Sequence, residues 1–298
     1  MRNRALSMID FHTLAQFGRS AILSALRAFH GNRMRVRAHG HPFYVDLRDN
    51  IISTTIVLTG RWENHEATFF RKVVRPGDFI LDVGAHVGYF TTLLGSLAGA
   101  QGRVAALEPD PENAKLLRTN VAAAGLDSVV RVHEAGAGAA RDRLVLYKNP
   151  TNRGDHHTYD DNTDGKRTVR AQIPVDIVTI DEIVRDWTKV DLIKMDIQGY
   201  EGRALKGALD TLARYPDIIL ATEFWPGGMK RAGSDPLLFV TELHELGFLI
   251  HELRKDGTLA EVRRQEFLQR FASRDRDFAD IICARQGNKR LRELLPPR

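Results

Sequence analysis

The stretch Pro76-Gly77-Asp78-Phe79-Ile80-Leu81-Asp82-Val83-Gly84-Ala85-His86-Val87-Gly88 constrains this chain more than any other. A turn enters a short apolar run, the run ends in an acid, and two spaced glycines precede a helix-like segment that opens at Tyr89. An apolar run of that length between turn signals reads as a buried parallel strand. Glycines at 84 and 88 suit a tight strand-to-helix turn and let a ligand approach the backbone. The G-x-x-x-G spacing lacks the tighter G-x-G-x-x-G of dinucleotide-binding folds, which disfavours a pyrophosphate cradle and with it a nicotinamide-dependent oxidoreductase.

A second run, Arg103 to Glu108, ends in a carboxylate just before Pro109. Its offset is close to the roughly 20 residues at which an acid ends the second strand of a nucleoside-binding βαβ unit and accepts ribose hydroxyls. From Phe79 onward, strand-like runs near 79–83, 103–108, 129–134, 191–196, 217–223, 246–252 and 278–284 alternate with helical segments. This predicts an α/β fold, a doubly wound and mostly parallel sheet whose last two runs close one edge as a hairpin. Pro111 to Ala124 reads as a helix, with Pro in its first turn and Gly125 past its end, so Glu108 and Asp110 fall at the ligand-binding edge.

The fourth run ends in Asp196 and turns through Gln198-Gly199 into a helix carrying Glu201. With the first strand at the centre of the sheet, Asp196 stands beside the Gly84 turn; helix capping and the helix dipole explain either acid alone. The fifth run ends in Glu223 and passes into the aromatic loop Phe224-Trp225-Pro226. Glu108, Asp196 and Glu223 thus offer carboxylates to one crevice. Between the third and fourth runs, Leu144–Tyr147 and Val169–Ile173 read as a strand pair flanking a polar loop, 149–167, with Asn152, Asp155, His156, His157, Tyr159, Asp160, Asp161 and Asp164. A long polar loop in a compact domain is functional or disordered, and two histidines favour the mouth of a pocket.

A chain of 298 residues with 43% hydrophobic content accommodates one large α/β domain with an appendage. The charge of +5 is uneven: residues 1–41 carry seven arginines against Asp10 alone. Within them Leu14, Phe17, Ile22, Leu26 and Phe29 recur at helical spacing, predicting an amphipathic helix that packs on the domain, self-associates into a homo-oligomer, grips an anionic partner or lies on a membrane surface. No basic-aromatic interleaving marks a nucleic-acid binder. No run reaches the about 18 apolar residues of a membrane span, and no signal sequence is evident. The single cysteine, Cys283, reads as a core thiol and a cytoplasmic location follows as an expectation. No ligand spacing argues for a metal site.

The motifs resemble those of the FkbM-type S-adenosylmethionine-dependent methyltransferases from about Tyr44 to about Ala284. They are Gly60-Arg61-Trp62-Glu63, Pro76-Gly77-Asp78, Asp82 to Phe90, Leu107-Glu108-Pro109-Asp110 and Lys194 to Glu201, in order and suitably spaced. The resemblance implies a class I methyltransferase sheet of seven strands with the last reversed, preceded by a helical and stranded N-terminal extension. The implied division is a basic extension over 1–41, lead-in strands and helix over 42–75, the cofactor-binding methyltransferase domain over 76–286 and a basic tail over 287–298. It further implies that Asp82, Gly84, Ala85, His86, Gly88 and Tyr89 hold the methionine end of S-adenosylmethionine, that Glu108, Pro109 and Asp110 hold its ribose, and that Glu134 and Ala135 lie by the adenine.

On this reading Asp196 faces the cofactor and orients a hydroxyl of a sugar, polyketide or similar small-molecule or glycan acceptor. His156, His157 or Glu201 takes the proton, and Glu63, His157, Gln198, Glu223 and Trp225 contact the acceptor. The chain departs from the family pattern at His86, where Asn is common, and at Gln198, where Glu is common. Loss of the carboxylate at 198 keeps two other readings open, a non-catalytic nucleoside-binding or scaffold protein and an enzyme with a nitrogen acceptor.

Overall fold

The computed structural model describes residues 22–149, 154, 156–159, 171–271 and 277–295. Helix α1 (22–30) leads into an antiparallel pair, β1 (Arg33–Ala38) and β2 (His41–Asp46), and then into α2 (Ile52–Thr59) and α3 (Asn64–Val73). This pair is a sheet of its own, so the lead-in packs over the main sheet without extending it, and the strand pair runs across the division expected at residue 41. Of the apolar positions assigned to the N-terminal helix, Leu14 and Phe17 lie outside the described residues. Leu23 and Leu26 pack on the core, while Ile22 and Phe29 face solvent.

The main sheet is built on β3 (Phe79–Val83), β4 (Arg103–Leu107) and β5 (Val130–His133) on one side. Beyond them lie β9 (Leu192–Met195), β10 (Ile219–Phe224), β13 (Ala279–Arg285), β11 (Phe248–Leu253) and β12 (Leu259–Glu261). The order is β12-β11-β13-β10-β9-β3-β4-β5. Pairs among β5, β4, β3, β9 and β10 are parallel, and β13 runs antiparallel to both of its neighbours. The reversed last strand expected from the resemblance is therefore present. Two details differ: β12 adds an eighth, edge strand, and the reversed strand is inserted between β10 and β11, so the tight edge hairpin is β11–β12. A separate three-stranded sheet joins β6 (Gly136–Ala137), β8 (Ala171–Val178) and β7 (Asp142–Lys148).

Helices cover both faces, as a parallel sheet requires. The remaining ones are α4 (Tyr89–Ala98), α5 (Pro111–Ala123), α6 (Ile180–Ile183), α7 (Glu201–Lys206), α8 (Leu209–Arg214), α9 (Pro226–Arg231), α10 (Pro236–Glu245), α11 (Arg264–Phe271) and α12 (Lys289–Arg292). Strand side chains alternate between faces. Leu81, Val83, Ile193, Met195 and Leu220 meet Leu205, Leu212, Phe239 and Val240 on one face. Ile80, Leu192, Ile219 and Ile282 meet Phe69, Phe70, Leu94 and Leu117 on the other.

Cys283 is fully buried in the first of these cores, where burial pushes its thiol up, as a core thiol should be. The C-terminal segment from 287 is more than a basic tail, because Leu291 is buried and Arg290 bonds Asp78 and Asp191 at the start of the sheet. Among the described residues no helix is long and apolar enough to cross a membrane.

Candidate active site

The turn after β3 closes against its neighbours through backbone contacts. Gly84 and Ala85 donate to the Leu107 carbonyl at 3.0 and 2.9 Å, and Asp196 donates from its backbone to Val83 at 3.0 Å. Gly84 has φ +82°, and a Cβ there would stand 1.9 Å from the Asp196 carbonyl oxygen. At Gly88, φ is +91° and a Cβ would meet Leu117 Cδ1 at 2.5 Å. Gly84 is thus required by the protein's own packing, which locks the turn to the end of β9, and Gly88 by its left-handed backbone at the start of α4. His86 is left-handed too, at φ +50°. Asn and His enter that region more readily than other non-glycine residues, which explains why His is tolerated where Asn is common.

Glu108 is the hub of this side. Its Oε2 accepts the His86 amide at 2.9 Å, and its Oε1 accepts the Asp110 amide at 2.9 Å and Asn113 Nδ2 at 3.4 Å. Burial pushes its carboxyl up to about 7, against the pull of those donors. Asp110 is fully buried and caps α5, accepting from Glu112 and Asn113 amides at 2.7 and 3.2 Å. Its other oxygen lies 2.7 Å from Lys148 Nζ and 3.3 Å from His156 Nε2. Burial opposes ionisation of Asp110, but the bonds from His156 and Lys148 win and hold it well below the usual carboxylate range.

On the other side, the carboxyl end of the sheet turns polar on a single face. Register sets Asp82 opposite Lys194, and Glu223 opposite Asp280. The lead-in residues Glu63 and Glu66 border the same recess. Lys194 is buried, with Nζ 3.9 Å from Asp82 Oδ1 and 3.7 Å from Asp196 Oδ2. Burial alone would lower its pKa, yet Asp196 and Asp82 outweigh it and hold Lys194 above its ordinary range.

Asp82 Oδ2 accepts from Thr91 at 2.6 Å, and burial raises its pKa. Asp196 Oδ1 accepts from Gln198 Nε2 at 2.9 Å. Glu201, the first residue of α7, accepts the Ile197 amide at 2.9 Å, and burial pushes it up to about 7. Burial, then Asp196 and Asp280, push Glu63 up to about 7, and burial with Asp196 pushes Glu223 well above its usual value. Asp280 goes the other way: burial opposes it, but His65, 2.8 Å from Oδ2, and Lys255, at 3.2 Å, hold it low.

The two sides meet in one cavity of ≈ 200 Å³. The methyltransferase FkbM domain family model matches residues 82–254, more than half of the chain, from the end of β3 through β11. The chain belongs to that family. The cofactor that this family membership implies is S-adenosylmethionine. Among curated proteins, the protein-L-isoaspartate O-methyltransferase of Methanopyrus kandleri is 32% identical over 29% of this chain and 41% of its own length. The Aeropyrum pernix protein of the same name is 45% identical over 20% of this chain and 22% of its own. The chain therefore spans less than half the length of these curated relatives. Among solved structures, a methyltransferase FkbM from Methylobacillus flagellatus is 20% identical, with TM-score 0.42, over 77% of this chain and 52% of that one.

The residues of this FkbM domain fit the cofactor. Gly84, Ala85, His86 and Tyr89 of the glycine turn, Glu108 and Pro109 after β4, and the apolar Gly136, Ala137, Leu146 and Ile177 all line the cavity. Asp82, Asp196, Glu63, Gln198, Glu223 and His156 also line it, as the sequence led one to expect. Other expected residues stand elsewhere. Gly88 and Asp110 serve helix starts, Glu134 pairs with Arg118 at 2.9 Å, and Ala135 yields its place to Gly136 and Ala137.

Glu201 lies behind Ile197, and His157 stacks on Tyr159 with ring centroids 4.8 Å apart. Trp225 packs under Gly228 and Arg231. Of the polar loop, Gly154, His156 and Thr158 reach the cavity, whereas Asn152, Asp155, Asp160, Asp161 and Asp164 lie outside the described residues. Lys194, Glu66 and Asp280 carried no assigned role from the sequence. Strand alternation beyond Asp82 and Glu223 would have placed the first and last of them on the shared face.

Proposed function

We propose that the domain methylates a neutral hydroxyl of a small molecule such as a sugar or polyketide. One observation carries the reading: the cavity beside the Gly84 turn is rimmed by Glu63, Asp196 and Glu223, with Lys194 as the cation among its lining residues. Such a rim offers an anion no cation but Lys194, which Asp82 and Asp196 already face, so an isoaspartyl carboxylate, the acceptor named for the curated relatives, is disfavoured here. S-adenosylmethionine supplies an electrophilic methyl group on a sulfonium and needs no activated leaving group. The protein's task is to align acceptor and donor and to receive a proton.

Glu108 holds the ribose, and the Gly84–His86 turn holds the amino-acid end. Asp196, fixed by Gln198, orients the acceptor. The proton passes to Glu63, which lines the cavity and is near enough to sense Asp196. Glu201 and His157 do not line it. His156 does, but its Nδ1 accepts the Asn149 amide at 3.0 Å and its Nε2 faces Asp110, so both ring nitrogens are engaged. A nitrogen acceptor suits the same acidic rim and is the second reading.

Asp196→Ala tests the assignment. Transfer of labelled methyl from S-adenosylmethionine into a metabolite extract should fall at least about a hundredfold, while calorimetric affinity for S-adenosylmethionine stays within a few-fold. Near-normal transfer would remove Asp196 from the reaction.

A further inference from the structure

The ends of β9 and β10 and the start of α7 bring Asp196, Glu223 and Glu201 to one point. Each contributes one carboxylate oxygen, and these oxygens all lie within 4.8 Å of one another. Three acids so close repel unless something positive joins them. The protein supplies little. Lys194 stands 3.7 Å from Asp196 Oδ2, beyond a hydrogen bond, and is shared with Asp82. Glu201 and Glu223 each have one oxygen, Oε2, that is buried and lacks a hydrogen-bond partner. Glu201 is fully buried, and its Oε1 is already used by the Ile197 amide, so Oε2 is free for a ligand. The neighbouring group of His65, Glu66 and Asp280 differs, because His65 and Lys255 already face Asp280.

We propose that Asp196, Glu201 and Glu223 bind one hard divalent cation of the Mg²⁺ or Ca²⁺ class at the acceptor end of the cavity. The donor set is all oxygen, which suits such ions and not softer ones. Opposite oxygens around Ca²⁺ stand about 4.6–5.2 Å apart, and around Mg²⁺ about 4.0–4.2 Å. The observed spread takes Ca²⁺ as it stands and Mg²⁺ after a small contraction. With an ion bound and all three acids ionised, the carboxylates and the shared Lys194 leave an excess charge near that which a divalent ion neutralises. Two of the three, Asp196 and Glu223, line the cavity, so the ion's remaining coordination positions open toward the acceptor. A bound cation there lowers the pKa of a coordinated hydroxyl and fixes its direction. This role rests on the hydroxyl reading above; the ion site itself does not.

The test is titration of the full chain with Mn²⁺ in metal-free buffer without cofactor, followed by the electron paramagnetic resonance of the free ion. One ion per chain is expected, displaced by Mg²⁺ and Ca²⁺. Glu201→Gln and Glu223→Gln, which keep an acceptor oxygen and the side-chain shape, should each weaken binding at least about tenfold, and Glu66→Gln should change it less than about twofold. Absence of stoichiometric binding overturns the proposal, as does an equal loss in Glu66→Gln, which would mark diffuse attraction. Should a variant fold poorly, Mn²⁺ anomalous scattering from wild-type crystals decides. A peak among the three carboxylates supports the site, and a peak only elsewhere refutes it. S-adenosylmethionine binding and methyl transfer are read separately. Transfer to a hydroxyl without ion binding refutes only the site, and ion binding with transfer only to amines refutes only the hydroxyl reading.

Discussion

The cofactor side and the acceptor side of this cavity are both lined by buried acids, yet they are organised in opposite ways. Glu108 has a donor on each oxygen, and Asp110 has two helix amides and a lysine. Glu201 and Glu223 each keep a buried oxygen without a donor. A saturated carboxylate is a fixed fitting that determines where a ligand lies. An unsaturated one costs stability until something binds. The difference assigns permanent shape to the cofactor side and exchangeable chemistry to the acceptor side.

The comparison can be broken most severely at the point where the two sides touch. Gly84→Ala should lower stability by about 3 kcal/mol or more, since its Cβ would strike the Asp196 carbonyl at a backbone angle unfavourable to alanine. Denaturant unfolding would show this together with loss of cofactor binding. A smaller effect is expected for Glu108→Gln, which should weaken S-adenosylmethionine binding about tenfold to a hundredfold, as for hydrogen bonds to a charged acceptor.

The Glu108 carboxyl also gives a signature in pH. Its native pKa is raised from 4.5 to about 7 by burial, so the folded apo protein holds a proton that the unfolded chain has lost. The contribution to stability is full below pH 4.5 and is lost as pH rises through about 7. Wild-type stability relative to Glu108→Gln should therefore fall across that window, while cofactor affinity rises as the carboxylate ionises. A flat difference would mean that Glu108 is ionised throughout. The smallest effect is expected for Asp110→Ala, about 1–2 kcal/mol from the lost helix cap and its lysine partner, with cofactor affinity nearly unchanged because Asp110 does not line the cavity.

The same contrast governs how much was legible in the sequence. The cofactor side is local: Asp82 to Gly88 and Glu108 follow strands directly, so strand ends and glycine spacing announce them. The reversed strand order followed from the resemblance. The acceptor side is convergent. Lys194 and Asp280 share a sheet face through strand alternation and Glu66 reaches it from α3, a convergence of separate elements that a linear reading does not reveal. Asp110 and Gly88 were expected at the cofactor, and local backbone needs, the starts of α5 and α4, also claim them. The eighth strand, β12, is three residues long and lies below the length at which pattern speaks.

The most direct test of the account is a crystal structure with S-adenosylhomocysteine. The account predicts ribose hydroxyls within hydrogen-bonding distance of the Glu108 carboxylate, the amino-acid end at the Gly84–His86 turn, the base against Ile177 and Leu146, and the sulfur facing Asp196. A nucleoside seated away from Glu108, or a sulfur directed away from Asp196, would contradict it.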